Sequence, residues 1–339
     1  MHMADALLSP AVGGAMCAVS AAMMAYSVVK VKKDDLDEKK IPMMGVMGAF
    51  VFAAQMINFT IPVTGSSGHI GGGILLAAML GEFPAFLTIS AVLIIQCLFF
   101  ADGGLLALGC NIFNMGVITC FLAYPLIFKP LLKKGLNAKN ITIASILSVV
   151  IGLLTGAFSV VLETLLSGIT ELPFGTFVGL MLPIHLAIGA VEGIVTAAVL
   201  VFVYRMRPEA MHLSEPDASA GKTPIWRVIV PLAVMAVLLG GVLSNFASSN
   251  PDGLEWAMEG TAGTAELEAQ DSVHDAAASV QDQTAFMPDY DYKAGGGENT
   301  ISGTTVAGLV GAGLTFAVAG LAGVAIHFVK KRKGASAKS

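Results

Sequence analysis

Apolar stretches of about 18 to 25 residues constrain this chain more than any other feature, since that length carries an α-helix across a hydrocarbon core of about 30 Å. They fall at about 10–29, 41–58, 70–81, 85–100, 105–128, 140–167, 177–204, 225–245 and 301–328. Almost all charge is gathered into the short segments between them. Only 13% of the 339 residues are charged, against roughly 25% in a soluble domain. A single packed soluble core does not produce that pattern. The expectation is an all-α, polytopic membrane protein of nine spans. The third span is short, and Gly81-Glu82-Phe83-Pro84 at its end reads as a turn or a broken helix. Such irregular backbone is tolerated at membrane depth only where neighbouring protein buries it.

Basic residues set the expected orientation. Lys30, Lys32, Lys33, Lys39 and Lys40 follow the first span; Lys129, Lys133, Lys134 and Lys139 follow the fifth. Arg205, Arg207, Lys222 and Arg227 follow the seventh, and Lys330–Lys333 with Lys338 form the tail. Nine spans bring all four clusters to one side, which the positive-inside rule makes cytoplasmic. Only Lys293 falls opposite. The N-terminus and residues 246–300 are then expected outside, and the C-terminus inside.

The organisation reads as a seven-helix unit (1–204), a charged cytoplasmic linker (205–224) and a two-helix unit (225–339). The external loop 246–300 of the second unit holds eleven Asp and Glu and one Lys, among many Ala, Ser, Thr and Gly. Its plainer reading is a solvated linker. Its sharper reading is a cation-attracting skirt around an external site. Cys17, Cys97, Cys110 and Cys120 all lie in apolar stretches without metal-ligand spacing and read as packing residues. No GxxxxGK[ST] occurs, so ATP hydrolysis is expected on other chains.

The first residues read Met1-His2-Met3-Ala4-Asp5-Ala6-Leu7-Leu8-Ser9-Pro10. No Lys or Arg precedes Lys30, so a cleaved leader is not expected. Ser9-Pro10 is a good helix start, which leaves the preceding residues as a non-helical outer segment. A free amine followed by His at position two is a chelator by geometry. The Met1 amine and the deprotonated Met1-His2 amide nitrogen close a five-membered ring on one metal, and that nitrogen with His2 Nδ1 closes a six-membered ring. Three nitrogens then share a plane, and a fourth completes a square of the kind that favours Ni(II) or Cu(II). Standing alone, His2 would be an ordinary surface residue, and His69, in the glycine-rich Thr64-Gly65-Ser66-Ser67-Gly68-His69, an ordinary loop residue. Expected on one face, they make a pair. His69 is the natural fourth nitrogen.

At these residues the sequence resembles the NikM/CbiM family, the substrate-capture subunits of energy-coupling-factor nickel and cobalt transporters. The resemblance spans about 1–204. It is carried by the Met-His start, by Thr64-Gly65-Ser66-Ser67-Gly68-His69, by Phe100-Ala101-Asp102-Gly103-Gly104 through Asn111 and Asn114-Met115-Gly116, and by His185 with Glu192-Gly193. It implies a seven-helix bundle binding one divalent metal through Met1, His2 and His69. It also implies a transmembrane coupling subunit and cytoplasmic ATPases as partners, with Ni(II) or Co(II) as transported substrate and no further cofactor and no nucleic acid. Ala6 stands where the family usually has Gly. Pro251-Asp252-Gly253-Leu254-Glu255 and Phe286-Met287-Pro288-Asp289-Tyr290 resemble signatures of the family's small accessory component, fused here in line.

Asp102, Glu163, His185 and Glu192 are ionisable groups in or near spans, where such groups are costly and often functional. The resemblance favours packing or hydrogen-bonding support for the N-terminal segment over ligation. Asn111 and Asn114 are candidates to hold its backbone. His212, His274 and His327 read as incidental. Cobalt uptake serving cobalamin synthesis remains an alternative substrate assignment. An intramembrane metalloenzyme is the competing class. It lacks HExxH, and a closed four-nitrogen square leaves no open position for water. A stand-alone carrier would want ionisable residues lined through the bundle, and few occur.

Overall fold

A computed structural model describes the chain except Met1 and residues 34–39, 171, 214–223, 266, 268–270, 294–300 and 337–339. The side chains of 33, 40 and 326–336 are likewise outside the description, so the expectations placed on Met1, the His327 ring, Glu266, Glu268 and Glu298 lie beyond it.

The described chain is mostly helical. Its helices are α1 (Pro10–Lys33), α2 (Lys40–Gln55), α3 (Gly73–Leu80), α4 (Glu82–Phe100), α5 (Leu108–Ile112), α6 (Lys129–Leu132), α7 (Ala138–Ser167), α8 (Phe174–Met206), α9 (Trp226–Gly241), α10 (Gly253–Ala262), α11 (Ser272–Thr284) and α12 (Gly303–Ser336). A π-helical stretch, Phe113–Phe128, joins α5 to α6 into one continuous rod. Pro125 sits inside it without breaking it. A two-stranded hairpin pairs β1 (Phe59–Thr60) antiparallel with β2 (Ser67–Gly68), Thr60 opposite Ser67.

Every predicted apolar stretch contains helix. Among the described residues, six helices are long and apolar enough to cross a membrane: α1, α4, the rod from Leu108 to Leu132, α7, α8 and α12. Two more, Ile41–Gln55 and Trp226–Gly241, are apolar but shorter. The third stretch departs most from the expectation of a span over 70–81. Only Gly73–Leu80 is helical, and eight residues rise about 12 Å. Gly72 and Gly81 bound it in positive-φ conformations (79° and 87°) that favour glycine. All eight residues are buried, so protein rather than lipid surrounds the broken backbone.

α9 and α12 pack against α2, and α12 also lies along α4. Glycines permit the approach. A Cβ at Gly308 would stand 2.1 Å from the Gly240 carbonyl oxygen, and one at Gly311 would stand 2.0 Å from the Phe52 ring. Small residues at helix crossings replace the hydrophobic drive that lipid does not supply.

The described part of the segment 246–300 is not the solvated linker of the plainer reading. It contains α10 and α11, and each begins with its own cap. Pro251-Asp252-Gly253-Leu254-Glu255 is a capping box. Asp252 Oδ1 accepts the amides of Leu254 (2.7 Å) and Glu255 (2.9 Å), and Glu255 Oε2 accepts the Asp252 amide at 2.9 Å. Asp271 caps α11 in the same manner, without the reciprocal Glu.

Candidate metal centre

Residues 2–8, 58–72, 101–107, 248–265 and 271–292 meet at one end of the bundle. The N-terminal segment is held there by its backbone. Asn111 brackets Met3, accepting its amide at 2.8 Å and donating to its carbonyl at 3.3 Å. The Gly104 amide donates to the same carbonyl at 2.9 Å, and Asp5 Oδ1 accepts the Ala107 amide at 2.9 Å. Met3, Leu7 and Leu8 are fully buried. Asn114 donates to Glu163 Oε2 at 2.8 Å beneath the Met3 thioether. The two asparagines thus support the segment, with Glu163 holding Asn114 from behind, as the resemblance leads one to expect.

His2 and His69 come together. Their rings stack with centroids 5.2 Å apart and planes 18° from parallel. His69 Nδ1 lies 3.1 Å from the Ile70 carbonyl, which only accepts, so the proton sits on Nδ1 and the lone pair on Nε2. The loop is braced from below. Gln55 Nε2 donates to the Gly71 carbonyl at 2.9 Å, the Gly72 amide donates to Glu192 Oε1 at 2.9 Å, and Gln96 donates to Gln55 at 2.8 Å. Burial lowers both imidazoles from their ordinary pKa, His69 further depressed by the neighbouring His2 and His2 partly restored by Asp102. Neutral imidazoles are the ligand-competent form.

His2 Nδ1 lies 3.2 Å from Asp102 Oδ1, and the other oxygen of that carboxylate accepts the Tyr290 hydroxyl at 2.5 Å. His2 Nε2 is buried without a hydrogen-bond partner among the described residues. His185 is buried beside the pair: its Nδ1 faces the Met181 carbonyl at 2.8 Å, and Nε2 again lacks a partner among the described residues. No three His, Cys, Asp or Glu among the described residues are placed to hold an ion by themselves.

The accessory segment covers this centre. The Ser67 amide and hydroxyl donate to the carbonyls of Pro251 and Asn250, each at 2.8 Å. Trp256 Nε1 donates to the Thr64 carbonyl at 2.9 Å. Gly253 is needed because a Cβ there would meet Ile188 at 2.7 Å and His185 at 3.1 Å. Phe286 and Tyr290 pack on Phe100, the latter stacked at 5.0 Å. Asp289 and Tyr290 adopt positive φ (50° and 59°), a backbone cost that aims the Tyr290 hydroxyl at Asp102. These contacts were not foreseen from sequence. The Asp252–Glu255 spacing does announce a helix start, but nothing local says where that helix docks.

His274 is not incidental. Its ring is buried, with Nδ1 2.7 Å from Asp271 Oδ2 and Nε2 3.0–3.1 Å from the carbonyls of Leu8 and Asp5. All three partners only accept, so both ring nitrogens donate and the imidazolium is the fully bonded form. Burial opposes that charge, but Asp271 and the two carbonyls outweigh it and raise the pKa above the ordinary value. A raised folded value means that the clamp is fully present below the unfolded value of about 6.5 and is lost as pH rises through the folded value. The melting temperature of the native chain should therefore exceed that of His274→Gln most below about pH 6.5, with the gap shrinking as the pH rises through the raised folded value. A gap that grows with pH would contradict the charged clamp.

A mostly helical bundle with six membrane-length apolar helices and a covered histidine pair at one end defines a multi-pass membrane protein with a polar end site. The chain belongs to the CbiM family: the profile described as "Cobalt uptake substrate-specific transmembrane region" matches residues 2–210, and the PDGLE domain profile matches 226–328. It is 30% identical over 94% of its length to a protein of Archaeoglobus fulgidus named "Putative fused nickel transport protein NikMN", covering 96% of that chain. It is 28% identical to the "Cobalt transport protein CbiM" of Geobacter sulfurreducens, over 70% of each chain. A solved structure described as a truncated transition metal transporter superposes with a TM-score of 0.54 at 30% identity, over 60% of this chain and 99% of that one. The chain is a membrane subunit of metal uptake with the accessory component fused to it.

Proposed function

We propose that this protein captures Ni(II) on the face turned away from the cytoplasm and passes it inward as part of an energy-coupling-factor complex whose partner subunits hydrolyse ATP. The meeting of the His2 and His69 rings at 5.2 Å carries the reading. The ligands are the Met1 amine, the His2 amide nitrogen and Nδ1, and His69 Nε2. His2 Nδ1 exchanges its contact with Asp102 for the metal, and the freed carboxylate stays anchored by Tyr290. Nickel is favoured over cobalt because a planar nitrogen set suits Ni(II); the named relatives include transporters of both metals. A capture role suits a closed ligand square better than metalloenzyme chemistry, which needs an open position for water.

The test is titration of the purified chain with Ni(II) and Co(II), read by visible absorption, followed by uptake in cells with and without the ATPase partners. One equivalent of Ni(II) should bind with the visible d–d absorption of a planar nitrogen site, and uptake should require the partners. Uptake without any ATPase would make the protein a stand-alone carrier. Failure to bind either metal would end the capture reading.

A further inference from the structure

The arm that carries the N-terminal ligands turns once before α1, with the Leu7 amide donating to the Ala4 carbonyl at 3.3 Å and the Leu8 amide to the Asp5 carbonyl at 3.0 Å. That turn is gripped from two sides. From the bundle, Asn111 and the amides of Gly104 and Ala107 hold Met3 and Asp5. From the accessory loop, His274 Nε2 reaches the carbonyls of Asp5 and Leu8. Leu8 is fully buried, so its carbonyl depends on the protein for a donor. We propose that His274 is a positioning residue for the metal: its doubly protonated ring seats the ligand arm, and bound metal escapes faster once Nε2 gives up its proton. The proposal rests on the metal-capture reading above and names what holds its ligand arm in place.

A neutral imidazole has one N–H, so it can serve the Asp271 carboxylate or the two carbonyls, but not both. Asp271 Oδ2, at 2.7 Å, keeps the remaining proton on Nδ1 when the ring is neutral, and Nε2 then turns a lone pair on two carbonyl oxygens. Release of the arm follows from that repulsion. The surroundings favour the charged ring. The cavity that His274 lines also presents Asp5, Asp102, Asp252, Glu255, Asp275 and Asp289, and no Lys or Arg. The other imidazole in that lining is His2, whose charge burial disfavours. α4 meets α11 two turns further on, where Gln281 Nε2 donates to the carbonyls of Cys97 (2.9 Å) and Gly103 (2.7 Å) and lies 3.6 Å from the Cys97 thiol. Those bonds dock α11 without His274, so loss of the charge loosens the arm and not the helix. Although burial opposes the charge, Asp271 and the two carbonyls raise the ring's pKa above its ordinary value of about 6.5. The resulting pH effect has a distinctive sign. Deprotonation of ligands strengthens metal binding as pH rises, whereas this contribution weakens it.

The experiment is a pH jump. The purified full chain is loaded with Ni(II) at neutral pH, mixed with excess chelator over a pH series bracketing the His274 pKa, and followed by loss of the bound-metal absorption. Dissociation from His274→Gln should be about 10-fold faster than from the native chain below about pH 6.5, with the ratio falling towards one as pH rises through the raised value. Asp271→Asn is the conservative partner. Asn caps a helix as well as Asp, so α11 keeps its start. Its amide can donate to Nδ1, which leaves the proton of the neutral ring on Nε2. Asp271→Asn should therefore match the native chain at low pH and release metal more slowly than it at high pH. In the metal-free chain, amide exchange of residues 3–8 should quicken in His274→Gln relative to the native chain at equal pH, with α7 and α8 unchanged. Equal dissociation rates at every pH, or native exchange of residues 3–8, would overturn the proposal and leave the capture reading intact. A ratio that stays constant with pH, or an Asp271→Asn profile that coincides with the native one, would also overturn it, by making His274 an uncharged support. A native chain that binds no Ni(II) would overturn the capture reading and the proposal with it.

Discussion

Acetylation of the amino terminus is expected to abolish tight Ni(II) binding, and His69→Ala to weaken it by more than about 100-fold, since loss even of an outer-shell partner of a metal ligand costs 10–100-fold. The two changes remove different nitrogens of one square. Acetylation destroys the five-membered ring by making the amine a non-basic amide, and it leaves every packing contact of residues 3–8 in place. His69→Ala removes the nitrogen supplied by the second loop, and its hydrogen bond to Ile70 is local. Neither should shift the melting temperature much, because Met3, Leu7, Leu8 and the bracing of Gly71 and Gly72 are untouched. The check is isothermal titration with Ni(II) alongside thermal unfolding in the same detergent. Tight binding that survives acetylation would remove the amine from the ligand set. Tight binding that survives His69→Ala would send the fourth nitrogen elsewhere, with His185 Nε2 the next buried imidazole at hand.

The pairing of His2 with His69 was legible in the sequence because it needs only topology: two histidines expected on one face of a bundle whose apolar lengths are read directly. The supports of Met3 were legible in kind, since polar Asn111 and Asn114 in an apolar stretch must find partners. The accessory lid was not. Tyr290 reaches Asp102 across 188 positions, and His274 reaches Leu8 across 266, with no shared periodicity to connect them. Composition misled at the same place. A segment rich in Asp, Glu, Ala and Ser looks like solvated linker because little apolar area is available to repay its ordering. What orders it instead is a set of hydrogen bonds with the Thr64–Ser67 loop, from the Trp256 indole and to the Pro251 carbonyl, and a few aromatic anchors on Phe100. The shortness and the break of α3 were legible in Gly81-Glu82-Phe83-Pro84, whereas its full enclosure was not, since an apolar run records burial without recording whether lipid or protein does the burying.

Gly104→Ala should lower Ni(II) affinity by about 10–100-fold while leaving the protein folded, an effect of the size seen when partners behind a metal ligand are lost. Gly104 has no positive φ, so alanine suits its backbone. The obstacle is space: a Cβ there would stand 1.9 Å from Asp5 Oδ1 and 2.5 Å from the Asp5 amide nitrogen. Two responses compete. The segment could leave its groove, or it could slide by about the 1 Å needed to relieve the overlap. Burial of Met3, Leu7 and Leu8, at about 1.5–3 kcal/mol each, opposes departure. Sliding gives up the Ala107–Asp5 bond and loosens the Gly104–Met3 bond, at about 0.5–1.5 kcal/mol for a neutral hydrogen bond and more for one to a carboxylate. Sliding therefore wins, and it moves His2, one residue from Met3, relative to His69. A ligand square tolerates that poorly, because ligands must be held within about 0.5 Å of productive geometry. Gly14→Ala is the matched control, since nothing lies within 4 Å of its Cβ position. Titration of both variants with Ni(II), together with their melting temperatures, separates the outcomes. Native affinity in Gly104→Ala would show that the seat of residues 2–8 does not set the metal geometry, and a collapse of its melting temperature would show that the segment is part of the core rather than a ligand arm laid upon it.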